Sequence, residues 1–344
     1  MQWLINTATD PAFNLALEEY YLTGIEAGHP GIAILWQNEP TVVLGRFQNA
    51  RSEVNVEFAE KHGIRIARRI TGGGAVYHDL GTLNYTFIHS LAKDGAIPMF
   101  RDAGRPVAHA LRDLGLPVYF SGRNDMLLSG RKVAGVAHCR KGRRYLHHGC
   151  LLVNSDLDRL GQVLRVDPEK YLSKGAPSVR SRVGNLADSF GRGAETALTV
   201  DLVREAIMSR VAGEFAAPSE ADIEAVRALR QSKYGSREWV FGSSPPFTER
   251  KTKRFAWGKL EAFFAVRQGR IESARLYGDF FADGEAAPAD DAPSPDIAAL
   301  ERALAGVDYA DDAVRAALQA FSLERLFAGC DAGEVLAFLL PGGA

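Results

Sequence analysis

"RRITGGGAVYHDLGTLNYTFI", residues 68–88, sets three consecutive glycines between a pair of arginines and a strand-like run. Only glycine combines freedom at positive φ with room for another group against the main chain. A tight hairpin turn is one reading of such a run. The other is a cradle, because successive backbone N–H groups in a glycine-rich loop form an anion-binding nest. Arg68 and Arg69, just upstream, carry guanidinium groups suited to bidentate phosphate contact. The nucleotide motifs of other folds are absent. There is no G-x-x-x-x-G-K-[ST], and Gly72-x-Gly74 is followed by Tyr77 where a dinucleotide fingerprint needs glycine.

Three further stretches carry chemistry. "GRNDMLLSGRKVAG" (122–135) starts a strand at Lys132 among the small residues Ala134, Gly135 and Ala137, which leave space for a side chain aimed into a pocket. A compact ammonium there can hold a carboxylate and a phosphate oxygen together. Asp125 offers a hard oxygen ligand for Mg²⁺, or else forms a turn with Asn124 that satisfies local backbone. "YLHHGCLL" (145–152) puts His147 and His148 on opposite strand faces, so they cannot share a metal, while His148 and Cys150 share one face. That pair is either a Cys-His couple or a small buried cysteine beside a histidine. "SVRSRVGNL" (178–186) places Arg180 and Arg182 on a basic loop.

The chain has 344 residues, 46% hydrophobic and 24% charged, which suits a soluble protein of two or three domains. Cys139, Cys150 and Cys330 are too scattered for a disulfide framework or a metal clip, so a reducing cytosol is expected. The start MQWLINTATD lacks the basic and apolar regions of a signal peptide, and no apolar run approaches the ~20 residues that span a bilayer. A net charge of -1 conceals an uneven distribution. Seven Lys/Arg face one acid between Arg123 and His148, and ten acids face one base between Asp279 and Asp312. Such a basic stretch suggests an anionic ligand or an acidic partner protein. No aromatic residues interleave with it, so nucleic acid is not expected; nor is a membrane.

Asp10-Pro11 reads as a helix start, with Phe13, Leu17, Tyr20 and Tyr21 at helical spacing. Strand-like runs follow at 32–36, 41–45, 63–69, 75–78, 83–88, 118–120, 126–128, 132–138 and 145–153, with helices near 98–114, 156–164, 199–213 and 219–231. This order predicts an α+β domain on a mixed, largely antiparallel sheet flanked by helices. Residues 173–198 read as loop. After Tyr234 the texture changes to two or three strands with a turn at Gly269, a Pro/Ala/acid connector at 282–295, and helices near 296–305, 310–320 and 331–340. We therefore expect a catalytic domain over 1–239 and a small α+β accessory domain over 240–344.

RRITGGGAVYHD, GRND, GRKVAG, HHGCLL and SVRSRV, in this order, with INTATDPAFNLALEEYYL and QNEPTVVLGRFQNARSEVN upstream, resemble the lipoate–protein ligase family over nearly the whole chain. The resemblance implies the biotin/lipoate ligase fold, a class II synthetase-type catalytic domain. It implies an ATP-dependent enzyme that forms lipoyl-AMP and pyrophosphate, then passes the lipoyl group to a lysine of a carrier protein. The carriers would be lipoyl domains of 2-oxoacid dehydrogenases or the glycine-cleavage H protein, and the acid lipoate or octanoate. By the same resemblance Arg69, Gly74, Ala75, Val76 and Tyr77 would contact ATP, Lys132 both the phosphate and the lipoyl carboxyl, and Asp125 the nucleotide and Mg²⁺. Gly72, Gly73 and His148 would border the acyl pocket. The chain departs from the family pattern at Thr82, commonly Asn; at Thr71, frequently Ser; at Cys150, usually Thr; and at Cys139, where some members carry Arg. Three alternatives remain: an ATP-independent octanoyl/lipoyl transferase using a Cys150 thioester, a non-catalytic lipoate- or carrier-binding module, and a biotin ligase, which shares the fold and chemistry but has different motifs.

Overall fold

The computed structural model describes residues 1–91, 100–122, 124–165, 182–190, 197–242, 247–281 and 296–342. The 282–295 connector, Arg123, Arg180 and most of the 173–198 loop lie outside the described residues.

Asp10 starts the first helix, Pro11–Gly24, as expected: its carboxylate accepts from the Ala12 amide, and Pro11 occupies the first turn, where no N–H is needed. The main sheet among the described residues has eight strands: β1 (Gln2–Leu4), β2 (Ile32–Trp36), β6 (Thr82–Ser90), β7 (Tyr119–Ser121), β8 (Asp125–Leu128), β9 (Arg131–Lys141), β10 (Arg144–Leu152) and β11 (Glu214–Ala216). Their spatial order is β11-β1-β2-β6-β10-β9-β8-β7. Every neighbouring pair from β2 to β7 is antiparallel; only β1 with β2 and with β11 is parallel. A second sheet joins β3 (Thr41–Leu44) to β4 (Arg65–Arg68) in parallel and to β5 (Val76–His78) antiparallel. The architecture is thus the mixed, largely antiparallel sheet with flanking helices that the sequence predicts.

Both faces of the main sheet are covered, which explains why its central strands carry almost no exposed residue. One face packs Leu83, Tyr85 and Leu151 against helices Phe100–Asp113 and Val200–Arg210. The other packs Ile34, Ile88 and Leu146 against the first helix and Val226 of helix Glu220–Leu229. Toward the C-terminus, β12 (Glu249–Phe255), β13 (Gly258–Arg267) and β14 (Arg270–Gly278) form an antiparallel meander. Gln268 and Gly269 take φ of 50° and 75° at its second turn, the positive-φ pair that matches strand twist. Helices Ile297–Leu304, Asp311–Leu318 and Ala332–Leu339 supply Leu300, Val314 and Phe338 to a separate core beneath this meander.

The triple glycine receives part of its explanation from this C-terminal portion. A Cβ on Gly72 would lie 2.3 Å from the Phe280 carbonyl oxygen. The Gly73 amide donates to that same oxygen at 3.2 Å, with Gly73 at φ +90°. Phe47 stacks on Phe280 with ring centroids 4.8 Å apart. Close approach at Gly72 is therefore by main chain from the end of the meander.

Candidate active site

Beside the glycine loop lies a cavity of about 630 Å³. Its floor is one transverse row of the main sheet. Trp36 on β2 pairs with Asn84 on β6, Asn84 with Cys150 on β10, Cys150 with Gly135 on β9, and Gly135 with Asp125 on β8. All five line the cavity, as do Arg69, Gly73, Gly74, Ala75, Val76, Tyr77, Lys132 and His148. Gly72 does not. Arg254, Phe255, Trp257, Lys259 and Asp279 close it from the C-terminal portion, a contribution the sequence reading missed entirely.

Lys132 reaches the cavity through an irregularity. Strict alternation along β9 would put residues 132 and 135 on opposite faces. Opposite Met126–Leu127, however, β9 runs from Ala134 to Lys132, leaving Val133 as the extra residue of a bulge. A bulge re-aims the side chains beside it. The ammonium consequently lies over Gly135, where a Cβ would sit 3.1 Å from Nζ. Its partner is Asp125: Nζ to Oδ1 is 2.7 Å, and Arg182 Nη2 meets the other oxygen, Oδ2, at 3.2 Å. Arg182 is held there because Val183 bridges to Lys132 and the Gly184 amide donates to the Lys132 carbonyl at 3.0 Å.

The two arginines of the opening motif are buried and busy. Arg68 spends its guanidinium on main-chain carbonyls of Gly45, Gln48 and Val240, at 2.8, 2.7 and 2.6 Å. It does not line the cavity, so the expectation that it contacts phosphate is corrected: it ties helix Arg237–Phe241 to β4. Arg69 donates to the carbonyls of Val43, Gly72 and Gly74 at 3.1, 2.7 and 2.9 Å, and through Nε to Thr71 Oγ1 at 2.9 Å. Burial pushes both guanidiniums down to about 10, so both stay charged at neutral pH.

A chain of buried polar groups continues from Arg69. Thr71 Oγ1 lies 2.9 Å from His148 Nε2, and His148 Nδ1 lies 2.8 Å from Glu18 Oε1. Thr86 donates to the same Glu18 oxygen at 2.5 Å and receives Trp36 Nε1 at 2.9 Å. Thr71 Oγ1 thus accepts from Arg69 Nε and meets one ring nitrogen of His148, while Glu18 Oε1 meets the other and accepts from Thr86. The sequence reading missed Glu18. Its signal was positional: on the first helix it falls at i+3 from Leu15 and four residues before Leu22, both buried. His147 points to the other face, as expected, 3.4 Å from Tyr85 Oη.

Sequence comparison matches this chain to two family models: "Lipoyl protein ligase A/B catalytic domain" over residues 10–212, and "Bacterial lipoate protein ligase C-terminus" over 244–339. The chain belongs to the lipoate–protein ligase family. It is similar to lipoate–protein ligase 1 of Staphylococcus aureus, 33% identical over 332 residues, covering 96% of this chain and 97% of the relative. Among solved structures it resembles the bipartite lipoate protein ligase of Thermoplasma acidophilum, studied with its E2 lipoyl domain, at 32% identity and TM-score 0.62, covering 72% of this chain and 98% of that one. It also resembles a lipoate-protein ligase A bound with ATP, at 29% identity and TM-score 0.61, covering 70% and 98%.

Two features bear on the chemistry this family member can perform. Both ring nitrogens of His148 are engaged, by Glu18 and Thr71, so the histidine is not placed to take a proton from Cys150, whose Sγ lies 3.8 Å from the Gly135 carbonyl. The second concerns Asp125, the residue expected to hold Mg²⁺. Asp125 already has a cation on each oxygen, and no cluster of three His, Cys, Asp or Glu suited to a metal occurs among the described residues. No described helix is long and apolar enough to cross a membrane.

Proposed function

We propose that this chain is an ATP-dependent lipoate–protein ligase in which Lys132 is the central catalytic group. In the first step a lipoate carboxylate oxygen attacks the α-phosphorus of ATP, forming lipoyl-AMP as pyrophosphate leaves. In the second, the deprotonated ε-amine of a carrier lysine attacks the lipoyl carbonyl, AMP departs with the former bond electrons, and the amine's extra proton is released to solvent. The observation that carries this reading is the Lys132 ammonium, held at 2.7 Å by Asp125 in the cavity that residues 73–77 also line. An ammonium placed there would steady negative charge on both the carboxylate and the α-phosphate, an effect typically worth ~3–4 kcal/mol for a well-placed donor.

Arg69 would act on ATP mainly through the loop it shapes and the positive charge it keeps, since its nitrogens hold the carbonyls of Gly72 and Gly74. Gly74, Ala75, Val76 and Tyr77 would border the nucleotide, and Gly73 and His148 the acyl chain. Mg²⁺ belongs to this reading as an ion brought by the phosphates, with Asp125 free to join it only by giving up Lys132 or Arg182. The accepting partner is a lipoyl-type carrier protein, met by the basic β9–β10 hairpin. Residues 1–239 would form the catalytic domain and 240–344 the accessory domain; matches ending at 212 and beginning at 244 support that division. A cytoplasmic location fits three free cysteines and the need for ATP.

Lipoate-dependent exchange of labelled pyrophosphate into ATP tests the proposal. Lys132→Ala should lose exchange by roughly 10²–10³-fold, while Cys150→Ala retains it. Wild type that transfers acyl groups between carriers without any exchange, and loses that transfer in Cys150→Ala, would establish the thioester route instead.

A further inference from the structure

We infer that Asn84 and His78 form a polar recognition site for the dithiolane sulfurs at the far end of the acyl pocket, and so set the preference for lipoate over octanoate. This rests on the ligase reading above and goes beyond it, to what distinguishes two acids of equal chain length.

The first observation is an unused donor. Asn84 is 1% exposed, lines the cavity, and its Nδ2 has no hydrogen-bond partner among the described residues. The second concerns His78, which is 4% exposed and also lines the cavity. Asn14 Nδ2 donates to Asn38 Oδ1 at 2.9 Å, which orients the Asn38 amide. Its Nδ2 therefore donates to His78 Nδ1, 3.1 Å away, and the imidazole hydrogen must sit on Nε2. Burial, with Arg69 and His148 adding to it, pushes the His78 pKa down to about 3, so the ring is neutral in use. Nε2 also lacks a partner among the described residues.

Leaving two buried donors unmet is costly, and native structures rarely do so without a ligand, water or function to account for them. Both flank Trp36: Asn84 is its cross-strand neighbour, and the His78 ring stands edge-on to it at 6.0 Å. Distance assigns the ligand group. From Gly135, over which Lys132 lies, the floor passes Cys150 to reach Asn84, two strand spacings or about 10 Å. An acid whose carboxyl sits at Lys132 and whose chain follows that row brings its distal end over Asn84. Lipoate presents two sulfur acceptors there; octanoate presents only methyl and methylene groups, leaving both donors unsatisfied. Sulfur is a weak acceptor, so the discrimination is modest, about tenfold rather than the many thousandfold of a hydroxyl-reading site.

The test is a ratio, which does not depend on how much of a variant folds. Acid-dependent pyrophosphate exchange is measured with lipoate, octanoate and the lipoate analogue in which both sulfurs are methylenes. Wild type should favour lipoate over the all-carbon analogue by about tenfold in kcat/KM. In Asn84→Leu the lipoate-to-octanoate ratio should fall by a similar factor, and Asn84→Gln should restore part of it. An unchanged ratio in Asn84→Leu, or equal use of lipoate and its all-carbon analogue by wild type, overturns the inference while leaving the ligase reading intact. Absence of exchange with all three acids in wild type would instead remove the ligase reading, and this inference with it.

Discussion

Lys132 Nζ and Asp125 Oδ1 are 2.7 Å apart across the bulged end of a β-ladder, and neither side chain is more than a quarter exposed. Asp125 thus fixes where the ammonium points before any substrate arrives. Asp125→Asn keeps the side chain's shape and removes its charge. Loss of alignment should lower kcat of adenylation by roughly 10–100-fold. KM for ATP should not rise, because a negative charge has left the phosphate side of the cavity. Steady-state kinetics with varied ATP separates the two effects; an unchanged kcat would show that Asp125 does not position Lys132.

Buried His78 makes a prediction about stability and pH. Its folded pKa of about 3 lies below the ordinary value of 6.5, so the unfolded chain binds more protons between those limits. Stability contributed by this group is complete above pH 6.5 and is lost as pH falls toward 3, at about 1.4 kcal/mol per unit. Burial holds His147 well below its ordinary value too, so it adds slope of the same sign. Urea unfolding from pH 7 to 4.5 should show a shallower pH slope in His78→Gln than in wild type. Parallel slopes would mean that His78 is protonated in the folded protein.

The difference between what was legible in the sequence and what was not is itself physical. Strands β2, β3 and β6 are apolar, β-branched or aromatic runs bounded by turn residues, and their reading follows from residue type. β1 and β11 are three residues each, and β11 is held by the pairing of Glu214 and its neighbours with Gln2–Leu4, over a separation no local pattern records. Lys132 was legible as a pocket residue from the small side chains around it, but the bulge that delivers it was not. Arg182 read as an exposed basic turn, whereas it completes the Asp125 pair. Glu18 reads as a solvent-facing helix carboxylate until its place on the apolar stripe is noticed. Gly72 was expected at the acyl pocket from the family resemblance; in the structure the space beside it is taken by Phe280.

Gly72 supports a further prediction. In Gly72→Ala the new methyl would need the space of the Phe280 carbonyl, 2.3 Å from its ideal position, and main chain cannot swing aside as a flexible side chain can. The contact that holds the meander's end to the glycine loop should open. The Gly73 amide, bonded to Phe280 in the wild type, should lose hydrogen-exchange protection along with the Gly278 amide, which donates to Phe47 at 2.8 Å. Unchanged protection at both amides would show that the loop and the C-terminal portion are not coupled through this contact.

Arg69 provides the sharpest distinction between charge and geometry. Its guanidinium meets four acceptors at once, three carbonyls and Thr71 Oγ1, and that hydroxyl in turn orients His148. Lysine preserves the charge but is a point donor on a flexible stem and cannot span this fork. Arg69→Lys should therefore leave buried carbonyls unmet and cost roughly 2–4 kcal/mol of stability. Arg69→Met should cost more, about 3–5 kcal/mol, because it also strips Glu18 of its buried counter-charge. Equilibrium urea unfolding gives both values. If the two variants lose the same stability, the charge of Arg69 contributes nothing and its hydrogen-bonding fork accounts for the whole effect; if lysine is as stable as wild type, the fork is dispensable and the glycine loop is shaped by something else.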